Sequence, residues 1–521
     1  MIIGDLVGRR AQLSPTKIAL VDSLNDHRPI TYAEWAAAVN QTANWLSQSL
    51  RVQKGDRVAV LAMNCLEYLD IWMACGRIGA ILQNLNWRLT PYELQGLLAN
   101  AEPVALIYGP DFVETVGQLR PAVPSIHHWV ALGDVATAGD ALFTERATAP
   151  PTPPPAVSLD WDDAWVICYT GGTTGLPKGA ILTHRAMAFN AFNTITSWGL
   201  TADDVAILNA PLFHTGGLNV FTLPLIAAGG CSIVCRTFDV EQVFDLLDKG
   251  NVSLFFGVPT MFLMLQQHPR WPAADFSRLK LVIAGGAPCP LPVFEKFWQR
   301  GVDFKTGYGL TEAGPNTFWL PPADVRRKPG SVGFPLLFID VKIVRPDGRE
   351  CDPNKAGELI ISGPHLCAGY WRNPQATAAA IHPTPADPSG RAWLHTGDVA
   401  VRDSEGYYTI VGRLKDVIIS GGENVYPAEI ESVLHAHPAV VEAAVVGVPD
   451  EKWGEVGRAF VVPAAHQSLS EAELLAFCAG RLARYKVPKS FVFLPSLPKT
   501  GANKVDKKAL RIFAAGSASQ R

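Results

Sequence analysis

The sequence predicts an α/β fold: a large multi-layer N-terminal domain with parallel-rich sheets, followed by a small α+β C-terminal domain. Short apolar runs alternate with helix-period segments over roughly the first four hundred residues, and strand–helix–strand repetition implies layered, parallel pairing. A chain of 521 residues exceeds what one hydrophobic core serves. After Gly412 the texture changes to shorter helices and strands, which divides the chain into 1–412 and 413–521.

Strands are predicted at 57–63, 104–108, 165–169, 205–209, 232–235, 253–256 and 279–284, each a short apolar run. A helix is predicted over 239–249. Asp239 caps it, Val240, Val243, Phe244 and Leu247 form one face, and Gly250 ends it. Pro150, Pro151, Pro153, Pro154 and Pro155 make a stiff connector, either a joint between subdomains or an exposed loop. No internal repeat is present. Beyond Gly412 the pattern gives a helix at Pro427–His435, strands at 440–448 and 458–462, and a second helix with Ser470 and Glu473 as a capping box.

Composition narrows the function classes. With 48% hydrophobic and 18% charged residues the chain reads as an ordinary globular protein. A net charge of −3 gives no general attraction to nucleic acid or anionic membrane, so any anion site is local. The nine cysteines include no CxxC pair, and Cys231 and Cys235 lack His or Cys partners nearby, so all read as small buried hydrophobes. No secretory pattern opens the sequence, no run approaches the ~20 apolar residues of a membrane span, and Ser517-Ala518-Ser519-Gln520-Arg521 is not a peroxisomal signal. A cytoplasmic location is expected.

The run Thr170-Gly171-Gly172-Thr173-Thr174-Gly175-Leu176-Pro177-Lys178-Gly179 is the strongest chemical signal. Glycines let backbone N–H groups crowd an anion, the threonines add hydroxyl donors, and Lys178 adds a charge suited to phosphate. It follows a predicted strand, where ligands of such sheets gather. Pro177 before the lysine and Gly179 after it separate the run from the Walker loop. Further along come Gly307-Tyr308-Gly309-Leu310-Thr311-Glu312, His395-Thr396-Gly397-Asp398, Gly412-Arg413-Leu414-Lys415-Asp416 and Lys499-Thr500-Gly501-Ala502-Asn503-Lys504. In this order the set resembles the adenylate-forming superfamily of acyl-CoA synthetases, adenylation domains and firefly-type luciferases, from Ile30-Thr31-Tyr32 to Lys504.

The resemblance implies a small β-barrel region in the N-terminal domain and a mobile C-terminal domain hinged near Lys415. It implies two half-reactions: a carboxylate attacks the α-phosphate of ATP to give acyl-AMP and pyrophosphate, then a thiol displaces AMP. By it, Thr170, Thr173, Thr174 and Lys178 hold the β- and γ-phosphates, with Gly171 and Gly172 in the same loop. Glu312 is the Mg²⁺ ligand and Thr311 lies near the α-phosphate. Gly285, Gly286 and Ala287 lie along the adenine, Tyr308 stacks on it and Gly309 follows. Asp398 and Arg413 bind the ribose. Lys504 bridges the attacking carboxylate and the α-phosphate; Asn503 stands before it, where many members have glycine. Gly421, Gly422 and Glu423, with Trp453, line the pantetheine arm of CoA, and Lys486 and Arg484 are candidates for its phosphates. His214 gates the acyl pocket.

No acidic residue lies between Asn209 and Thr237 to pair a substrate ammonium, and Arg236 is the one candidate for a second carboxylate. The expected walls, Asn219, Val220, Phe221, Val258, Pro259, Met261 and Phe262, are mostly apolar, and Gly307 suggests an open pocket floor. A medium or long fatty acid or an arylalkanoic or cinnamic acid is expected, with ATP, Mg²⁺ and CoA; homodimerisation is open. The alternatives are an acyl-AMP ligase loading a carrier-protein thiol, a luciferase, and a non-catalytic nucleotide-binding relative.

Overall fold

The computed structural model describes residues 3–133, 136–137, 139–171, 177–249, 251–384, 387, 389–421, 423–464, 467, 469–500 and 505–518. Two seven-stranded sheets organise the first part of the chain. One runs Lys305–Thr306, Leu281–Ala284, Leu254–Gly257, Val205–Leu208, Cys231–Val234, Ile18–Asp22, Arg28–Thr31, parallel except for the last pair. The other runs Ala141–Leu142, His128–Ala131, Ala105–Tyr108, Arg57–Leu61, Ile81–Asn84, Ala164–Thr170, Lys178–Thr183, again parallel except for the final hairpin.

Helices Tyr32–Asn44, Leu66–Ile78 and Thr222–Ala228 fill the space between the sheets with much of His184–Trp198, because their apolar residues share one core with both: Leu20, Leu208 and Val234 meet Val60, Leu82 and Val166 there. Outer helices cover the remaining faces. Val243, Phe244 and Phe297 pack with Phe255 on the first sheet, while Leu94, Leu98 and Val116 pack with Leu106 on the second. A sheet buried on both faces needs such continuous apolar runs.

All seven predicted strands are present. Asp239 caps the helix Val240–Asp248 by accepting from Gln242 N; Gly250 lies outside the described residues. Pro150 and Pro151 are strapped to the neighbouring helix, since Asn44 Nδ2 and Asn40 Nδ2 donate to their carbonyls. Only half of the Ser470 capping box forms. Ser470 Oγ accepts from Glu473 N, whereas the Glu473 carboxylate turns to His437 at 3.4 Å.

The region where a barrel was expected is a five-stranded antiparallel sheet centred on Ala392–Arg402, which pairs with Gly357–Ser362, Ile381–Pro383 and Tyr408–Arg413. A separate five-stranded sheet, built from residues between Ile418 and Phe493, carries the helices Pro427–His435, Glu471–Ala479 and Lys507–Ala518. Among the described residues no helix is long and apolar enough to cross a membrane.

Candidate active site

The threonine- and glycine-rich loop joins two antiparallel strands, and Thr170 and Lys178 are cross-strand partners at its base. Thr170 Oγ1 lies 3.3 Å from Glu312 Oε1. Gly171 is exposed; Gly172, Thr173 and Thr174 lie outside the described residues. Lys178 Nζ stands 5.0 Å from the centre of the Tyr370 ring, and the Tyr370 hydroxyl donates to Glu312 Oε1 at 2.9 Å. Glu312 sits on a single turn, Thr311–Ala313. That turn is reached by a loop folded back so tightly that a Cβ on Gly309 would lie 2.2 Å from the Pro315 backbone. Thr311 is buried beside Cys168, whose thiol is pushed up to about 12 chiefly by burial.

The same loop begins with Tyr308, whose hydroxyl donates to Asp398 Oδ2 at 2.7 Å. Arg413 Nε pairs with Asp398 Oδ1 at 2.8 Å, because the two residues are register partners on adjacent strands. Burial first, then the Asp398 charge, raise the Tyr308 hydroxyl well above its ordinary value, so it remains a donor. Asp398 is only 4% exposed. Its turn is clamped by Glu358, which meets His395 Nδ1 at 3.0 Å and accepts from Gly397 N at 3.1 Å. Gly285, Gly286 and Ala287 follow the C-terminal end of Leu281–Ala284, with Gly286 and Ala287 exposed.

His214 caps the short helix Thr215–Asn219, its Nδ1 accepting from Gly216 N at 3.0 Å. The Phe256 ring lies between this helix and the Gly285–Ala287 segment: a Cβ on Gly216 would sit 3.3 Å from it and one on Gly285 2.9 Å. Behind it is a cavity of about 10 Å³, lined by Ile207, Leu208, Val220, Phe221 and Phe256 among others.

Two expectations fail here. Gly307 leaves no open floor, because the Ile283 side chain occupies that space, 2.7 Å from where a Cβ would be. Phe262 is not a wall; it packs with Phe255, Phe297 and Phe304 in the outer helix layer. Successive strand residues face opposite ways, so Phe255 goes to that layer and Phe256 to the site.

In the C-terminal sheet Gly421 N donates to Trp453 O at 2.8 Å, and Ser420 pairs with Glu423 across a hairpin. The Trp453 ring lies 2.8 Å from a Cβ built on Gly421 and is 41% exposed. Gly422 and Lys504 lie outside the described residues. Lys486 is paired with Glu429 at 2.7 Å, which ties up one of the two cations considered for CoA phosphates. Lys415 is exposed on the turn Leu414–Asp416, and Arg511 pairs with Asp416 at 2.7 Å.

The structure thus unites Thr170, Lys178 and Glu312, and unites Tyr308, Asp398 and Arg413, with one loop (307–312) serving both groups. Tyr370, Glu358 and Phe256 were missed. A charged residue opening the apolar run Gly357-Glu358-Leu359-Ile360-Ile361 was the one local signal among them.

Comparison with known proteins gives the family. The model of the AMP-binding enzyme family matches residues 7–371, and that of the AMP-binding enzyme C-terminal domain matches 429–504. The chain is 40% identical to a feruloyl-CoA synthase from an Amycolatopsis species over 98% of both chains. It is 37% identical to an indoleacetate–CoA ligase of Aromatoleum aromaticum, again over 98% of both. Among solved structures, ATP-bound MatB from Rhodopseudomonas palustris is similar at TM-score 0.86 and 32% identity, covering 98% of both chains. The chain belongs to the AMP-binding, adenylate-forming enzymes.

Proposed function

We propose that this chain is an AMP-forming acid–CoA ligase: it joins a carboxylic acid to the α-phosphate of ATP, releases pyrophosphate, and passes the acyl group to the thiol of CoA. The observation that supports it is the loop 307–312, whose two ends carry carboxylate contacts, Tyr308 with Asp398 and Thr170 with Glu312; we read the first as the ribose side and the second as the phosphate side.

Glu312 fits Mg²⁺. It is a hard carboxylate beside a hydroxyl, and among the described residues no group of three His, Cys, Asp or Glu exists to cage a metal. An ion held by one carboxylate takes its other oxygens from phosphates and water, the habit of Mg²⁺. When bound there, the ion supplies neutralisation of phosphate charge. Lys178 and the hydroxyls of the loop orient the β- and γ-phosphates, Asp398 and Arg413 fix the ribose, and Gly285 to Ala287 leave room for the purine. Lys504 then aligns the acid with the α-phosphate, so catalysis is positioning plus electrostatic stabilisation. Rotation about Lys415, between 1–412 and 413–521, withdraws Lys504 and brings Gly421, Gly422, Glu423 and Trp453 to guide the thiol.

The acid is a compact aryl or arylalkanoic one. Phe256 lies against Gly216, two residues past His214, and the cavity it lines with Val220 and Phe221 has room for about one water rather than an alkyl chain. The relatives named for ferulate and indoleacetate support this reading. A cytoplasmic, CoA-using enzyme, open to homodimerisation, is the accompanying inference. With ATP, Mg²⁺ and CoA, ferulate or indoleacetate is expected to consume free thiol and release AMP. Octanoate outpacing both would overturn the aryl assignment, and acid-dependent pyrophosphate exchange without thiol loss would point to a carrier-protein acceptor.

A further inference from the structure

The geometry points to Tyr370 as a positioning residue that sets the Glu312 carboxylate and the Lys178 ammonium relative to one another; the inference rests on the reading of Glu312 as the metal carboxylate. Residues Cys367 to Trp371 run antiparallel to the strand that Lys178 opens. Ala368 N donates to Ile181 O (3.0 Å), Ile181 N to Gly369 O (2.9 Å) and Trp371 N to Gly179 O (2.7 Å). At its near end Cys367 N donates to the backbone carbonyl of Glu312 at 2.8 Å. One short extended segment therefore holds both the lysine strand and the carboxylate turn. Its own place is fixed from behind, where Tyr370 N donates to Thr377 Oγ1 at 2.8 Å.

Tyr370 adds side-chain control to this backbone template. Its hydroxyl and that of Thr170 both address Glu312 Oε1, at 2.9 and 3.3 Å. Both hydroxyls fall on the same oxygen, and the other, Oε2, is assigned to the cation. The Tyr370 ring meanwhile lies 5.0 Å from Lys178 Nζ, within cation–π range, so the lysine has a seat that is not a carboxylate and its charge stays available for phosphate. Outer-sphere groups of this kind orient a metal ligand, and their loss typically lowers metal affinity about 10–100-fold.

The test uses the full-length protein with ATP and Mn²⁺, without acid or CoA. Bound Mn²⁺ is counted by electron paramagnetic resonance, AMP affinity is measured in EDTA, and pyrophosphate affinity by calorimetry. Melting temperatures confirm that each variant folds. Tyr370→Phe is expected to weaken Mn²⁺ binding about tenfold while AMP affinity in EDTA stays at the wild-type value. Tyr370→Leu, which also removes the ring, is expected to weaken pyrophosphate binding in addition. Glu312→Gln is expected to weaken Mn²⁺ binding in the enzyme–ATP complex further than Tyr370→Phe does, the phosphates keeping part of the ion's ligand set. Wild-type Mn²⁺ affinity in Tyr370→Phe with Glu312→Gln defective would overturn the positioning role and leave the metal reading intact. Wild-type affinity in Glu312→Gln would overturn the metal reading itself. A lower melting temperature without a change in Mn²⁺ or pyrophosphate affinity would make Tyr370 a packing residue only.

Discussion

Replacing Asp398 by Asn changes one charge at nearly constant volume, at the residue proposed to hold the ribose. The carboxylate is 4% exposed, and its two oxygens take Tyr308 OH at 2.7 Å and Arg413 Nε at 2.8 Å. Hydrogen bonds to a charged acceptor contribute about 1.5–3 kcal/mol, against about 0.5–1.5 kcal/mol for neutral pairs. A ribose diol offering two hydroxyls to an amide instead of a carboxylate therefore loses about 1–1.5 kcal/mol per hydroxyl, about 2–3 kcal/mol together, a factor of about 30–150 in affinity. Calorimetry with AMP and the KM for ATP in acid-dependent pyrophosphate exchange both read this. Using 2′-deoxy-ATP closes a cycle: the penalty for the missing hydroxyl should be large in the wild-type enzyme and mostly gone in Asp398→Asn. The Arg413 side chain is half exposed, so the folded state should lose little stability, which a melting curve checks. AMP affinity within threefold of wild type, with an unchanged 2′-deoxy penalty, would refute the ribose assignment.

Three further expectations concern other parts of the molecule. Lys504→Ala should cripple acyl-AMP formation while sparing thioester formation from supplied acyl-AMP; an equal fall in both half-reactions contradicts the role given to this lysine. Phe256→Ala should shift the kcat/KM ratio of octanoate to ferulate upward by about tenfold or more, as the space behind the ring opens; an unchanged ratio removes Phe256 from the specificity account. His184 and His365 are buried and held down at about 4 and about 3 by desolvation, below the ordinary value of 6.5. Because the unfolded chain binds these protons first, stability is full above pH 6.5 and falls as pH drops towards those values. The loss is about 1.4 kcal/mol per pH unit for each histidine. Denaturant titrations of His184→Gln and His365→Gln across pH 4.5–7 should show shallower slopes than wild type; parallel slopes would mean these imidazoles do not control the acid limb.

Legibility in the sequence followed the range of the interaction. The Asp239 cap and the strand runs are local patterns, and each stands where its residues put it. Tyr370 joins Glu312 across 58 residues and Thr170 joins it across 142, so no spacing rule brings them together. Phe255 and Phe256 sit in an unbroken apolar run, Leu254-Phe255-Phe256, where composition cannot tell one face from the other. Gly307 misled for a related reason. A missing side chain reads as space in one dimension, yet Ile283 from the neighbouring strand fills it. Glu358 stayed hidden because it holds the turn that carries Asp398 through His395 and Gly397, partners 37 and 39 residues away.

In the proposed reaction the acid's own oxygen attacks the α-phosphate of ATP. Ferulate labelled with ¹⁸O in both carboxyl oxygens, turned over with ATP and CoA and read by mass spectrometry, tests it directly. The expected products are AMP carrying one ¹⁸O atom, in equimolar yield with feruloyl-CoA, and unlabelled pyrophosphate. Label in inorganic phosphate together with ADP, or unlabelled AMP, would contradict it.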